Sequence, residues 1–180
     1  MERASAASFA RAVAPHLGAA WNLARWLVRD DRDAEDVVQE ALLKAFRFWS
    51  GFSGQNPRAW LLAVVRNACF TFLARRRTAP VLQLFEEEQK PLPAEEASRA
   101  AGPEAELLRA QTGERIAAAV AGLPPEFREA FLLREVEGLS YKEIARAVEA
   151  PIGTVMSRLS RARALLRRAL APGRVEEVAS

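Results

Sequence analysis

The amino-acid sequence predicts an all-α protein: two small helical domains joined by a flexible acidic linker, the C-terminal one a helix-turn-helix. Three observations predict it. Apolar residues recur every three or four positions in both halves, and Val and Ile nowhere alternate with polar residues over a useful length. Between positions 80 and 106 that periodicity fades, and Pro80, Pro91, Pro93, Gly102, Pro103 and the run Glu86-Glu87-Glu88 read as a linker. Near the C-terminus, a short capped helix, a turn containing Gly153 and a longer helix follow in the order of a helix-turn-helix. The expected boundaries are a first domain over 1–78, a linker over 79–111, a second domain over 112–172 and a tail over 173–180.

The elements follow in order. Phe9, Val13, Leu17, Trp21, Ala24 and Val28 lie on one helical face. A turn is expected at Asp30-Asp31-Arg32. A second helix starts near Asp33, with acidic residues in the first turn, where the helix dipole favours them. A glycine-containing loop spans Ser50 to Pro57. A third helix runs from about Arg58 to Arg77; its early part, Trp60 to Val65, is apolar almost all round and therefore expected to be central. In the second domain, Pro124-Pro125 opens a helix that Gly138 ends. Ser140 and Glu143 form a capping box, with Leu139 and Ile144 placed as its hydrophobic staple. That helix runs to about Glu149, and Thr154 is expected to cap the last one, which reaches about Leu170.

Composition narrows the function. Half of the 180 residues are apolar, enough for a core, but the longest unbroken apolar run, Ala59 to Val65, is far shorter than the roughly 20 residues a membrane span needs. No signal peptide is read, and no membrane insertion is expected. The single cysteine, Cys69, allows no internal disulfide and suggests a cytoplasmic location; with the single His16 it excludes a Cys/His zinc cluster. Neither a metal nor any other cofactor is expected. Net charge is +5 over residues 1–80, −4 over 81–115 and +2 over 116–180. Two basic blocks suit a polyanion, and the acidic connector between them does not.

Three constellations carry function. On the last helix, Val155, Leu159, Ala162, Leu166, Ala169 and Leu170 are expected to face the core, with Ser157, Ser160, Arg161, Ala164 and Arg168 on the opposite face. Small residues there allow close approach to base edges, Arg161 can fork onto a guanine, and Arg158 can contact phosphate. On the second helix, Val37, Val38, Ala41, Leu42, Ala45, Phe46 and Trp49 fill the apolar arc. Leu43 lies instead within the polar arc of Asp36, Gln39, Glu40, Lys44 and Arg47, as a small protein-binding face with a polar rim would; a solvated face with one stray leucine is the alternative. Finally, Phe46, Phe48, Trp49, Phe52, Trp60, Phe70 and Phe72 crowd one stretch with Arg58, Arg66, Arg75, Arg76 and Arg77 interleaved. Such rings can stack splayed bases while cations hold phosphates, although most of them must also build the core.

At this point the sequence resembles the extracytoplasmic-function (ECF) group of sigma factors in the sigma-70 superfamily. Asp33-Ala34-Glu35-Asp36-Val37-Val38-Gln39-Glu40 is similar to the family's polymerase-binding helix. Gly138 to Ala145, followed by Pro151-Ile152-Gly153-Thr154-Val155-Met156-Ser157-Arg158, is similar to its −35 reader. The resemblance spans about residues 8–77 and 112–171. It implies a transcription initiation factor, not an enzyme, that binds bacterial core RNA polymerase, directs it to promoter DNA and promotes strand opening. It assigns Asp36, Gln39, Glu40 and Leu43 to core polymerase. Phe52, Gln55, Asn56, Trp60 and Asn67 would capture a flipped −10 base, and Arg75, Arg76 and Arg77 would hold the duplex just upstream. Thr154, Ser157, Arg158, Ser160 and Arg161 would read the −35 element. The linker would enter the polymerase's active-site cleft and RNA exit channel. Met156 departs from the arginine several members carry, so −35 preference is expected to differ. Exposed reading surfaces also imply an anti-sigma factor that covers them in idle cells.

Two rivals remain open on residues alone. An operator-binding regulator needs a receiver or ligand domain, but the N-terminal piece lacks an alternating strand–helix pattern. A DNA-acting enzyme needs a nucleophile or metal cluster, and Asp33, Glu35 and Asp36 at a helix start are more simply dipole partners.

Overall fold

A computed structural model of the chain describes residues 2–54, 56–78 and 103–171. Gln55, most of the expected linker and the tail lie outside the described residues. Proline punctuates the first element. Pro15 sits in a 3-10 turn over Ala14–His16, which splits the expected single face into α1 (Glu2–Val13) and α2 (Leu17–Val28). Proline offers no N–H to the preceding turn, so the helix cannot run through it unbroken. The break also carries Leu17 out of the core, whereas Ala20, Leu23, Ala24, Leu27 and Val28 stay buried. Arg29 ends α2 in the left-handed region (φ 68°), its N–H bonded to the Arg25 carbonyl at 2.9 Å.

Helix α3 (Asp31–Phe48) starts earlier than expected because Asp30 is its cap: the carboxylate accepts from the N–H groups of Arg32 and Asp33, both at 2.9 Å. These bonds hold the Asp30 carboxyl below its usual value. Val37, Val38, Ala41 and Ala45 are buried as expected; Phe46, placed on the same arc, is partly exposed. Asn56 caps α4 (Pro57–Thr78), its Oδ1 accepting from the Ala59 N–H at 3.1 Å, with Pro57 as the first helical residue. The expectation of a central third helix holds: Leu61, Leu62 and Val65 are fully buried, and α4 packs on both α2 and α3.

The C-terminal bundle begins with α5 (Pro103–Ala121), whose start lies inside the segment expected to be linker. Pro103, one of the residues read as a breaker, instead opens a helix, a position that suits its fixed φ. Helix α6 (Pro125–Phe131) continues into a π-helical turn over Leu132–Val136 that the sequence pattern did not reveal. Gly138 then takes φ +64°, and the Leu139 N–H returns to the Leu133 carbonyl at 2.9 Å. Helix α7 (Tyr141–Ala147) carries the full expected capping box: Glu143 accepts from the Ser140 N–H at 2.8 Å, and its own N–H bonds Ser140 Oγ at 3.3 Å. Leu139 and Ile144, the expected staple, are both buried. Helix α8 (Ile152–Leu170) corrects two expectations. Its N-cap is Pro151, whose carbonyl accepts from Thr154 and Val155, so Thr154 lies inside the helix. Ala169 is exposed rather than core-facing.

Helix α8 packs on α5, α6 and α7, while α4 packs on α7 and α2 touches α6, so the two bundles close on each other. Among the described residues, no helix is long and apolar enough to cross a membrane.

The capping box yields a pH prediction. Bonds from the Ser140 N–H and hydroxyl, and then from Asn56, hold the Glu143 carboxyl below its ordinary 4.5. A depressed carboxylate contributes stability above its unfolded value and loses it as pH falls through the folded one. The difference in melting temperature between wild type and Glu143→Gln is therefore expected to be full at neutral pH and to close as pH drops below 4.5. Thermal melts followed by circular dichroism across that range check it.

Candidate nucleic-acid interface

The face of α3 expected to bind protein is built as its wheel implies. Leu43 is 63 % exposed. Around it, Asp36 and Gln39 are exposed, and Glu40 is half-buried. Lys44 pairs with Glu40 at 2.6 Å and draws its carboxyl below the usual range. Gln39 reaches back to Glu35 at 3.5 Å. One apolar side chain within a ring of polar groups is the anatomy of a small docking face.

The aromatic stretch divides. Phe9, Phe46, Trp49, Phe52 and Trp60 form one ring cluster: Trp49 stacks on Phe52 at 5.1 Å and 16°, and Trp60 lies 4.9 Å from Phe52. Phe52 and Trp60 are only half-buried, so this loop brings two of the expected base-capturing rings together at the surface. Phe70 lies beneath Arg66 at 4.3 Å and Phe72 beneath Arg76 at 5.7 Å, so these two rings already serve as seats for guanidiniums. Phe48 is 70 % exposed and stands outside the cluster. Gly54 is needed where it stands: a Cβ there would come within 2.7 Å of the Phe52 ring edge. Gly54→Ala should push Phe52 off Trp49 while leaving the melting temperature within a few degrees. Tryptophan fluorescence of the free chain, read against wild type, measures the first effect.

Of the remaining residues expected to touch −10 DNA, Asn67 and the arginines lie along α4. Asn67 is exposed, its Oδ1 accepting from Arg66 at 2.9 Å. Arg75 and Arg76 are exposed on the last turns, Arg76 pairing with Asp33 at 2.6 Å. Arg77 is on the same turn, but its side chain lies outside the described residues, as does Gln55. Asn56, besides capping α4, donates its Nδ2 to Glu143 of the C-terminal bundle at 2.5 Å.

On α8, Ser157, Ser160 and Arg161 are exposed together, and Thr154 is half-buried at the edge. Arg158 is the −35 candidate with a partner inside the protein. It is half-buried and bonded to Glu129 at 3.2 Å. Glu129, 1 % exposed, also receives both Nε and Nη2 of Arg66, at 2.7 and 3.1 Å. A second carboxylate at the junction, Glu137 (5 % exposed), takes Arg58 at 2.5 Å, and its carbonyl accepts from the same guanidinium. Sequence reasoning missed Glu129 and Glu137. The available signal was an acid set among Ala130, Phe131, Leu132 and Leu133, where an unpaired charge would be costly. Arg128 meets the opposite situation. Burial first, and then the nearby Arg29, lower its pKa, while its guanidinium donates to the carbonyls of Ala121 and, at 2.9 Å, Leu123.

Comparison with known proteins agrees with this geometry. The family pattern "Sigma-70 region 2" matches residues 12–79 and "Sigma-70, region 4" matches 113–166. The RNA polymerase sigma-H factor of Pseudomonas aeruginosa is 36 % identical over 148 residues, covering 81 % of this chain and 77 % of that protein. The ECF RNA polymerase sigma-E factor of Haemophilus influenzae is 33 % identical over 153 residues, covering 83 % and 80 %. Among solved structures, the sigma factor RpoE of Bartonella quintana, crystallised with the anti-sigma factor NepR, superposes with a TM-score of 0.73 at 29 % identity, covering 93 % of this chain and 99 % of that one. Region 2 thus falls on the N-terminal bundle with its leucine face and ring cluster, and region 4 on the helix-turn-helix: the chain belongs to the sigma-70 family, within its ECF group of RNA polymerase sigma factors.

Proposed function

We propose that this chain binds bacterial core RNA polymerase through Asp36, Gln39, Glu40 and Leu43 and directs it to promoters with its two bundles. The observation that carries the reading is the order of parts: an exposed leucine face, a half-exposed ring cluster with arginines along the next helix, then a helix-turn-helix. Phe52, Asn56, Trp60 and Asn67, with Gln55, hold unpaired −10 bases. Arg75, Arg76 and Arg77 hold the upstream phosphates, and Thr154, Ser157, Ser160 and Arg161 read the −35 element. Arg158, already tied to Glu129, contacts phosphate from a fixed position. The domain division proposed is region 2 over 1–78, linker 79–111 and region 4 over 112–172, with α5 starting inside the linker segment.

The chain supplies recognition, and the polymerase makes the bonds. Strand opening follows from trapping unpaired bases, since a pocket that replaces lost stacking shifts the duplex toward its open form. Two weak readers joined through one polymerase raise each other's effective concentration. The likeness to a sigma factor crystallised with an anti-sigma factor supports such an inhibitor here, and the site of action proposed is cytoplasmic.

The test is transcription in vitro with sigma-free core polymerase and fragmented DNA of the source genome, mapping RNA 5′ ends. Discrete starts that share two upstream elements are expected. No starts and no co-elution with core would overturn the reading. Arg161→Ala should then lose −35 dependence and Asn67→Ala −10 opening, each by on the order of tenfold, as loss of one base-reading contact implies; runoff assays on single-element mutant promoters separate the two.

A further inference from the structure

We propose that Met156, with Ile152 one turn before it, reads the C5-methyl group of a thymine in the −35 element. The inference rests on the promoter-binding function above and names a specificity residue for it. The observation is an apolar pair standing in solvent on the reading helix. Met156 is 53 % exposed and Ile152 40 % exposed. They are four residues apart, so they share one side of α8 across its first two turns. The core does not use them: Val155 and Leu159, on the inward face, are 0 % and 1 % exposed. Gly153 and Ser157, each the next residue along, are exposed too, and a Cβ on Gly153 would meet nothing within 4 Å. The start of α8 therefore presents two apolar side chains beside a strip of small residues that continues into Ser160 and Arg161.

What such a surface meets follows from where it stands. The second helix of a helix-turn-helix enters the major groove with its N-terminal residues against the base edges. The groove distinguishes bases by donors and acceptors, and by one apolar group, the thymine methyl. Small residues let the backbone come close, and methionine is long and flexible enough to close around a methyl. It brings no hydrogen-bond donor, so a guanine or cytosine at that position gives up water and gains no donor in exchange. The pair therefore favours thymine both by what it buries and by what it fails to satisfy. Two side chains alone are far too small a patch to hold a protein, whose stable interfaces bury about 800 Å² a side. Their continuity with Ser157, Ser160 and Arg161 assigns them to DNA.

The test uses the full chain with core polymerase on a promoter found by the 5′-end mapping above. Each thymidine of the −35 element, on either strand, is replaced in turn by deoxyuridine, which removes the methyl and keeps every hydrogen-bonding group. With wild type, one replacement should weaken holoenzyme binding about fourfold, the worth of one methyl withdrawn from water. Met156→Gln should bind the thymine and uracil promoters equally, Met156→Leu should keep the preference, and Ile152→Ser should reduce it. Arg161→Ala should weaken binding to both promoters and keep their ratio, which separates methyl reading from a general loss of −35 contact. The Met156 variants should melt with wild type, since the side chain lies in solvent. A −35 element with no thymine, or a wild-type holoenzyme indifferent to every uracil, overturns the proposal. So does a ratio that survives in Met156→Gln: unchanged affinity would give the methyl to another residue, and a uniform loss would give the pair to a protein partner. If wild type transcribes normally and only the methyl effect is missing, the function stands and this reading alone falls. If wild type with core starts transcription from no fragment, the promoter-binding function is wrong and this reading falls with it.

Discussion

Leu43→Asp is expected to weaken capture of core RNA polymerase by on the order of 30-fold or more, the effect of losing an apolar anchor at the centre of a small interface. The fold should not register the change. Leu43 is 63 % exposed, and an aspartate there meets water rather than core. Leu42, its neighbour, packs against the core, so Leu42→Asp should lower the melting temperature first and lose binding as a consequence. The pair therefore separates docking from stability. Competition against a control sigma for core, with melts of each variant alongside, checks both halves; the docking assignment is wrong if Leu43→Asp competes like wild type. Lys44→Ala, which removes only an exposed i,i+4 partner of Glu40, should change affinity by less than about fivefold.

Leu43 could be assigned from sequence because its position depends on one helix alone. A wheel with period 3.6 places it opposite Val37, Val38 and Ala41, and no tertiary fact alters that. The helix-turn-helix was legible for the same reason. Ser140 and Glu143 are three residues apart, and Gly138 marks its own positive φ. Local signals fared worse where two competed. Pro151 and Thr154 both promise a helix start, and the earlier one won, because its carbonyl can accept from both Thr154 and Val155. Pro103 read as a breaker and was a helix opener, since proline signals both and only the following turn decides.

What the sequence withheld is tertiary. Helical phase could not say which rings of the aromatic stretch would be core, which would seat arginines and which would stand exposed. Phe46 packs edge-on against Phe9 of α1 while still 42 % exposed, Phe70 seats Arg66 of its own helix, and Phe48 stands 70 % exposed. The junction is the extreme case. Arg66 and Glu129 are 63 positions apart, Arg58 and Glu137 are 79, and Asn56 and Glu143 are 87. No local rule pairs them. Arg58 and Arg66, read only as cations interleaved with the rings, are both engaged by carboxylates of the other bundle.

Glu129→Ala is expected to destabilise the chain by about 3 kcal/mol, the lower end for a broken buried ion pair, because both arginines keep partial access to water. The loss should spread beyond one bundle, since Arg66 and Arg158 then face each other without their shared carboxylate. Urea denaturation should show it, and −35-dependent transcription should fall as Arg158 loses its anchor on α6. A triple variant, Glu129→Leu with Arg66→Met and Arg158→Met, separates charge from packing. Apolar side chains of similar volume avoid the cost of dehydrating three charges, so the triple variant should regain most or all of the lost stability. It should nevertheless transcribe poorly, because Arg158→Met removes the phosphate contact proposed for the −35 helix. Stability regained would mean that the ion cluster adds little net strength to the junction. Stability that stays at the Glu129→Ala level would instead place the loss in packing around α6, with the charges incidental to it.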